Sequence, residues 1–130
     1  MARIPDDLLY TEEHEYLKAT DEDGVYQVGV TDYAQGELGD IVFLELPSAG
    51  DSFSHMETFG TIEAVKAVSD LYAPVSGEIV AVNESLDDDP SLVNSDPYGA
   101  GWMVRMRVSD PSELDGLMSP DAYRELVGGD

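Results

Sequence analysis

The sequence predicts a mainly β protein that ends in short helices. Up to about residue 108, apolar runs of strand length alternate with clusters of turn-forming residues. The clearest run covers residues 102–108, where the side chains alternate with a period of two. Near the C-terminus, Asp110-Pro111 and Ser119-Pro120 each place a capping side chain before a proline, which is typical of a helix start.

Turn and capping residues delimit the elements of the first half. A turn-forming cluster at residues 21–24 separates two strand-like runs, the second of which can turn one face inward. Thr31 can cap a short helix through its hydroxyl, and Gly39 can end that helix because glycine tolerates left-handed backbone. The predicted elements are strands at residues 15–20, 25–31 and 40–46 and a helix at residues 32–38.

The second half is organised around one lysine. Two apolar arms lead up to Lys66 and away from it, which predicts a hairpin with the lysine at its tip. A polar, proline-containing stretch then separates two further strands. The predicted strands lie at residues 53–65, 67–74, 77–83 and 102–108, a helical turn lies near residues 91–93, and the last helices begin at residues 110 and 119, the second ending at Gly128.

Length and cysteine content limit the classes of protein to consider. A chain of 130 residues can form one core, and we predict a single domain over residues 1–130. No run has the length of a membrane span, and the N-terminus has no signal-peptide pattern. Cysteine is absent, so no protein thiol can act as a nucleophile, metal ligand or redox centre. Any sulfur chemistry would have to come from a cofactor.

The charge is strongly negative. Asp and Glu number 28 against 6 Lys and Arg, which gives a formal net charge of -22. Such a surface repels nucleic acid and anionic membranes. The acids are spread among apolar strand-like runs, which indicates a folded protein adapted to concentrated salt. We therefore expect a cytoplasmic protein from a halophile, and a monomer, because high net charge opposes self-association.

Lysine is rare, which draws attention to the two that remain, Lys18 and Lys66. Lys66 lies between two apolar strand arms, with Glu63 three positions before it. A lysine at a hairpin tip holds its amine clear of the sheet, where a modifying enzyme can reach it. A long arm on such a support could visit several active sites in turn, which is the requirement for a carrier.

The sequence around Lys66 resembles the lipoylation segment of the glycine cleavage H-protein family. The matching residues are EAVKAVSD at 63–70, followed by APVSGEI at 73–79. Other stretches match the same family in the same order, from about Tyr10 to Val127. They are HEY at 14–16, GVTDYAQ at 29–35, GDIVF at 39–43, LP at 46–47, VNSDPY at 93–98 and GWM at 101–103.

The resemblance implies a fold and a function. The fold is a flattened β barrel-sandwich hybrid of the lipoyl/biotinyl carrier type, with short helices at the C-terminus. The function is a non-catalytic carrier in which lipoic acid, in amide linkage to Lys66, takes the aminomethyl group from glycine decarboxylation to an aminomethyltransferase. The implied partners are glycine dehydrogenase (decarboxylating), the aminomethyltransferase, dihydrolipoamide dehydrogenase, and a lipoate ligase or transferase.

Further site residues follow from the same resemblance. Glu63 is expected to take part in recognition of the lysine segment. Glu15, in the His-Glu-aromatic element, is expected to contact the amine of the loaded arm in a protective cleft. The chain departs from many members by having Ala64 where they have serine, Tyr16 where they have tryptophan, and Glu37 where some have histidine. The polar lining of the cleft is therefore not predicted by the family pattern.

Other functions fit less well. Biotin carriers share the fold but typically have methionine on both sides of the lysine, where this chain has Val65 and Ala67. Lipoyl domains of 2-oxoacid dehydrogenases are usually joined to further domains by flexible linkers, and no such linker is present. Some H-like proteins relay lipoate itself, and a transfer role of that kind remains an alternative.

Metal binding and independent catalysis are also disfavoured. The acidic runs at residues 21–24 and 87–89 lack the ligand spacing of a calcium loop. His14 and His55 lack helical metal spacing, so no metal site is expected. No nucleophile turn and no glycine-rich phosphate loop are present in the sequence.

Overall fold

The computed structural model describes residues 3–128, which form two antiparallel sheets and a few short helices. The strands are β1 (Leu9–Tyr10), β2 (Glu15–Ala19), β3 (Val25–Val30), β4 (Ile41–Glu45), β5 (Ser52–Phe53), β6 (Thr58–Ala64), β7 (Val68–Tyr72), β8 (Gly77–Val82) and β9 (Val104–Val108). The helices are α1 (Asp32–Leu38), α2 (Ser85–Asp88), α3 (Leu92–Ser95) and α4 (Pro120–Leu126), with a 3₁₀ helix at Pro111–Gly116.

The two sheets pack around a common core. The larger sheet has the order β1-β2-β3-β9-β8-β5, and the smaller has the order β4-β6-β7. Buried side chains from both sheets meet in one cluster, which includes Val28 and Met106 of the larger sheet and Leu44 and Ile62 of the smaller. Burial of each large aliphatic side chain contributes roughly 1.5–3 kcal/mol, so this shared core holds the two layers together. The predicted mainly β, flattened sandwich fold is confirmed.

A second, aromatic cluster attaches the C-terminal helix. Tyr123 of α4 stacks on Tyr10 of β1, with ring centroids 4.6 Å apart and planes within 7° of parallel. Both rings are fully buried, together with Tyr16 and Tyr98. The buried ring of Tyr123 therefore attaches helix α4 to strand β1.

Capping residues define helix α1 as the sequence predicts. Thr31 has extended backbone, and its hydroxyl accepts a hydrogen bond from the Ala34 N–H at 3.2 Å. Gly39 follows the last turn with φ 85° and ψ -159°, a conformation that is essentially restricted to glycine. These two residues fix where α1 begins and where the chain turns into β4.

The hairpin β6–β7 presents the lysine turn. Its register pairs Glu63 with Val68 and Ile62 with Ser69, and β4 lies on the other side of β6. Across the tip, the Ala64 N–H donates to the Ala67 carbonyl at 2.8 Å. The predicted hairpin with Lys66 at its tip is confirmed.

Some predicted elements are wrong in detail. The strand predicted at residues 53–65 is two strands of different sheets, because a turn at 54–57 intervenes with Met56 at φ 70°. The side chain of Glu57 accepts the Ser54 N–H at 2.9 Å and stabilises that turn. The helix predicted from residue 110 is a 3₁₀ helix, and neither the two-residue strand β1 nor helix α2 was predicted.

Candidate functional site

Lys66 lies exposed at the tip of the β6–β7 hairpin. The turn that carries it is tied to a second segment, because the Val65 N–H donates to the Asp40 carbonyl at 2.9 Å. None of the three ion pairs found within residues 3–128 involves Lys66. The amine is therefore held away from the sheet on a turn that two hydrogen bonds constrain.

The aliphatic stem of Lys66 rests on Gly39. A Cβ built on Gly39 would lie 3.1 Å from Cε of the lysine, 3.4 Å from Cδ and 3.5 Å from Cγ. The absence of a side chain at Gly39 thus leaves room for the lysine stem at the end of α1.

A cavity of about 250 Å³ lies between α1 and β7. Helix α1 ends just before Gly39, which contacts the Lys66 stem, and β7 begins two residues after the lysine. Its walls are partly apolar, with Val30, Ile62 and Leu71 at the back. The remaining lining residues come from α1, from β7 and from the loop before β2. They are Tyr33, Ala34, Glu37, Leu38, Ser69, Asp70, Glu13 and His14.

The cavity carries negative charge at its edge. Glu13, Glu37 and Asp70 belong to three different elements, and all three side chains are exposed. His14 adds no positive charge at neutral pH, because burial lowers the pKa of its imidazole from the ordinary value of 6.5. The arrangement favours a small cationic group such as a primary ammonium over an anion.

His14 is fixed by the C-terminal helix. Its Nδ1 atom lies 2.8 Å from the hydroxyl of Tyr123, and that hydroxyl also lies 2.7 Å from Oγ1 of Thr31. The backbone of His14 has φ 69°, a left-handed conformation that is strained for a residue with a side chain. Tyr123 therefore links the cavity edge to the N-cap of α1.

Glu15 does not line the cavity. Its side chain is 2% exposed, and its carboxyl accepts hydrogen bonds from the Thr11 hydroxyl at 3.0 Å and from the Tyr72 N–H at 3.3 Å. Burial raises the pKa of this carboxyl to about 8. Glu15 thus holds the end of β7 by accepting the Tyr72 N–H. Its predicted contact with a loaded arm stays a prediction.

Glu63 lies on the outer face of the smaller sheet. It pairs across β4 and β7 with Phe43 and Val68, so the three side chains share that face. Val68 is 66% exposed and Phe43 is 50% exposed, and Val65 at the tip is 71% exposed. Exposed apolar side chains therefore lie on this face and at the lysine turn of a strongly acidic protein, which is typical of a contact surface.

The family resemblance predicted the lysine and a protective cleft, but not the set of residues that lines the cavity. Within residues 3–128, no group of three or more His, Asp or Glu side chains is placed to hold a metal ion. The same part of the chain has no helix long and apolar enough to cross a membrane. Glu13, Tyr33 and Asp70 were not singled out, because each lies on a separate element and only tertiary packing brings them together.

Comparison with known proteins identifies the family. The sequence profile described as "Glycine cleavage H-protein" matches residues 8–129. The glycine cleavage system H protein of Chlorobium limicola is 55% identical over 125 residues, covering 96% of this chain and 98% of that protein. The chain belongs to the glycine cleavage H-protein family. A second H protein, from Carboxydothermus hydrogenoformans, is 52% identical over 127 residues, covering 98% of this chain and 96% of its own length.

A solved structure agrees with this family assignment. The crystal structure of a glycine cleavage system H protein from Mycobacterium marinum matches with a TM-score of 0.84 and 40% sequence identity. The match covers 96% of this chain and 99% of the other. The predicted family and the carrier role in the glycine cleavage system are confirmed, and the chain is a carrier component rather than a catalytic enzyme. Its partners belong to the same system.

Proposed function

We propose that Lys66 carries lipoic acid in amide linkage and that the protein thereby shuttles the aminomethyl group from glycine decarboxylation to an aminomethyltransferase. One observation carries this proposal. Lys66 stands exposed on a hydrogen-bonded hairpin tip in a chain of this family, and its stem contacts Gly39, the residue that follows Leu38 in the wall of an acidic cavity. Its role is attachment, and acylation removes the charge of its amine.

The residues present fit such an arm. Gly39 and the turn hold the stem of the lysine, while the amine projects where a modifying enzyme reaches it. Ile62, Leu71 and Val30 give the cavity an apolar back that suits an aliphatic chain. Cysteine is absent from the sequence, so the cofactor has to supply both sulfur atoms.

A lipoyl group bound at Lys66 would supply a disulfide as the acceptor for the aminomethyl group. The chain's own contribution is the environment of the amine. We assign Glu13, Glu37 and Asp70 to hold a protonated amine by charge at the cavity edge. Glu37 occupies the place where some family members have histidine, so the cavity gains a negative charge there instead of an imidazole.

The two acidic residues predicted from the family keep proposed roles. Glu63, on the exposed face beside Val68, is proposed to take part in recognition by the modifying enzyme. Glu15 is proposed to act on the arm through β7, because it accepts the Tyr72 N–H two residues after Asp70. A direct contact between Glu15 and the arm would require the cavity floor to open.

The proposed partners follow from the carrier role. They are glycine dehydrogenase (decarboxylating), the aminomethyltransferase, dihydrolipoamide dehydrogenase, and a lipoate ligase or transferase. We further propose that residues 1–130 act as a single domain, that the protein works as a cytoplasmic monomer, and that it belongs to a halophile. The net charge of -22 supports the last two proposals.

The test is an intact mass and a peptide map of protein isolated from its native host. We expect a lipoyl increment on the peptide that contains Lys66 and none on the peptide that contains Lys18. Lys18 is the matched internal control, since it is the other lysine of the sequence and its Nζ donates to the Tyr98 carbonyl at 3.2 Å. A biotin increment, or a bare Lys66 in a host that lipoylates its other carriers, would contradict the proposal.

A further inference from the structure

The side chain of Asn94, in α3, binds three groups near the end of α1. Its Nδ2 atom donates to the Gly39 carbonyl at 3.0 Å and to Oε1 of Gln35 at 2.8 Å. Its Oδ1 atom accepts the Ile41 N–H at 2.8 Å. One amide therefore satisfies backbone groups on both sides of Asp40.

The loop held by Asn94 is the loop that supports the lysine turn. Gly39 lies under the Lys66 stem, and the Asp40 carbonyl accepts the Val65 N–H. Asn94 binds both neighbours of Asp40 along the chain. Any shift of this loop would move both Gly39, which contacts the Lys66 stem, and the Asp40 carbonyl, which accepts the Val65 N–H.

We infer that Asn94 is a positioning residue for Lys66, which sets the direction of the lysine by clamping the loop at residues 39–41. The inference rests on the proposed attachment role of Lys66. Asn94 does not line the cavity, and its side-chain hydrogen bonds go to Gln35, Gly39 and Ile41 rather than to the lysine, so it acts through the loop around Asp40. The β6–β7 register holds the hairpin together without Asn94. The hydrogen bonds of Asn94 therefore affect the orientation of Lys66 more than they affect formation of the turn.

The chain contains a matched control for this residue. Asn83, between β8 and α2, also makes three side-chain hydrogen bonds: Nδ2 donates to the Ala100 and Trp102 carbonyls, and Oδ1 accepts the Ser85 N–H. Asn83→Asp and Asn94→Asp each keep the acceptor and replace a two-bond donor by a carboxylate oxygen. Only Asn94 is connected to the lysine turn.

The first readout is amide hydrogen exchange in the unmodified protein. Asn94→Asp places a carboxylate oxygen against the Gly39 carbonyl, so the loop should open locally. We expect the Val65 amide to exchange roughly 10-fold faster in Asn94→Asp, after correction by the amides of β2 and β3 that report global unfolding. Asn83→Asp should leave the corrected exchange of Val65 unchanged.

The second readout is the rate of acylation of Lys66 by a lipoate–protein ligase supplied with lipoate and ATP. The ligase first forms the acyl adenylate with release of pyrophosphate, and Nζ then displaces AMP to form the amide. Because a misplaced amine slows the chemical step while the hairpin surface still docks, we expect kcat to fall roughly 10-fold with KM nearly unchanged in Asn94→Asp. Asn83→Asp should match the unsubstituted protein.

Distinct results separate this inference from the proposed function. If Lys66 of the unsubstituted protein is not acylated, the proposed function fails, whereas the exchange of Val65 still tests the clamp. If Val65 exchange and kcat are the same in the Asn94 and Asn83 variants, the positioning role of Asn94 is overturned. Should Asn94→Asp not fold, Gln35→Ala removes a single bond to Asn94 and should change both readouts in the same direction by a smaller factor; no change would overturn the inference.

Discussion

Lys66 and Gly39, 27 positions apart in the sequence, are in contact through the lysine stem. The position of a Cβ on Gly39 lies 3.1 Å from Cε of Lys66, closer than most real Cβ contacts. Gly39 also has a positive φ of 85°, so its backbone conformation favours glycine, and a methyl group there would have to displace the lysine stem. The residue that ends α1 is therefore part of the lysine site.

Gly39→Ala is expected to slow acylation of Lys66 beyond its effect on stability. The new methyl group would displace the stem, and the backbone strain would cost roughly 1–3 kcal/mol. Gly24→Ala is the matched control, because Gly24 has φ 77° and nothing within 4 Å of its Cβ position. Chemical denaturation and ligase kinetics should show a stability loss in both variants and slower acylation in Gly39→Ala alone. Equal acylation rates would rule out a steric role of Gly39.

Lys66→Arg is expected to abolish aminomethyl carriage while the fold is kept. Arginine preserves the charge, but the lipoylation machinery does not acylate a guanidinium. Because the side chain is exposed, the free energy of unfolding should change by no more than about 0.5 kcal/mol. The control is Lys18→Arg, which should retain full carriage in an assay reconstituted with the enzymes of the system. Carriage by Lys66→Arg would remove this lysine from the mechanism.

The local signals for the lysine site were readable from the sequence, and the long-range ones were not. Thr31 and Gly39 delimit α1 by capping chemistry that acts within a few residues, so the prediction of that helix is confirmed. Strand β5 was missed because Ser54 and Glu57 close a turn through a side-chain hydrogen bond that apolar patterning does not reveal. The turn was therefore included in one long predicted strand.

The composition of the cavity could not be derived from local pattern. Asp70 was visible next to the lysine segment, but its proximity to Glu37 depends on how α1 packs against β7. The same holds for Asn94, whose partners lie more than 50 positions away. Burial of Glu15 was equally hidden, because the sequence placed it at a strand start without indicating that β7 would cover it.

Glu15 should make stability fall as pH rises from about 4.5 to about 8. Burial raises the pKa of its carboxyl from 4.5 to about 8, so the folded state binds the proton more tightly than the unfolded state. The resulting stabilisation is complete below pH 4.5 and is lost as pH passes through 8. Glu15→Gln, which is neutral at every pH, should flatten the plot of unfolding free energy against pH in this range.

The control for Glu15→Gln is Glu12→Gln, because Glu12 is exposed in the turn that precedes β2. It removes one negative charge without changing a buried group. Urea denaturation at several pH values measures both variants. A slope that stays the same in Glu15→Gln, or that flattens equally in Glu12→Gln, would contradict the assignment.

Tyr123→Phe is expected to destabilise the protein by about 1–3 kcal/mol, through the loss of two buried hydrogen bonds. The substitution removes the hydroxyl shared by His14 and Thr31 but keeps the stacking on Tyr10. Tyr26→Phe serves as the control, since Tyr26 is half-buried in β3 and lies outside this cluster. Denaturant unfolding at pH 7 compares the two, and equal losses would show that the Tyr123 hydroxyl has no special role.

Salt should stabilise the fold. Within residues 3–128 only three ion pairs are present, and all involve arginine, so most of the acidic side chains described there have no ion-pair partner. Screening of this repulsion should raise Tm steadily from about 0.05 M to about 2 M KCl. Each 1 kcal/mol gained corresponds to a rise of roughly 3–5 °C for a domain of this size. A midpoint that does not respond to KCl would contradict adaptation to high salt.

The convergence of three distant segments at Lys66 has a consequence for biosynthesis. The lysine turn needs the loop at residues 39–41, and that loop needs Asn94, so the seat of the lysine cannot be complete while the ribosome still holds the second half of the chain. Nascent or truncated chains would present the same peptide without its support. An acylating enzyme that depends on the orientation of the lysine would therefore modify only folded chains. Attachment of the cofactor would then report that the chain has folded.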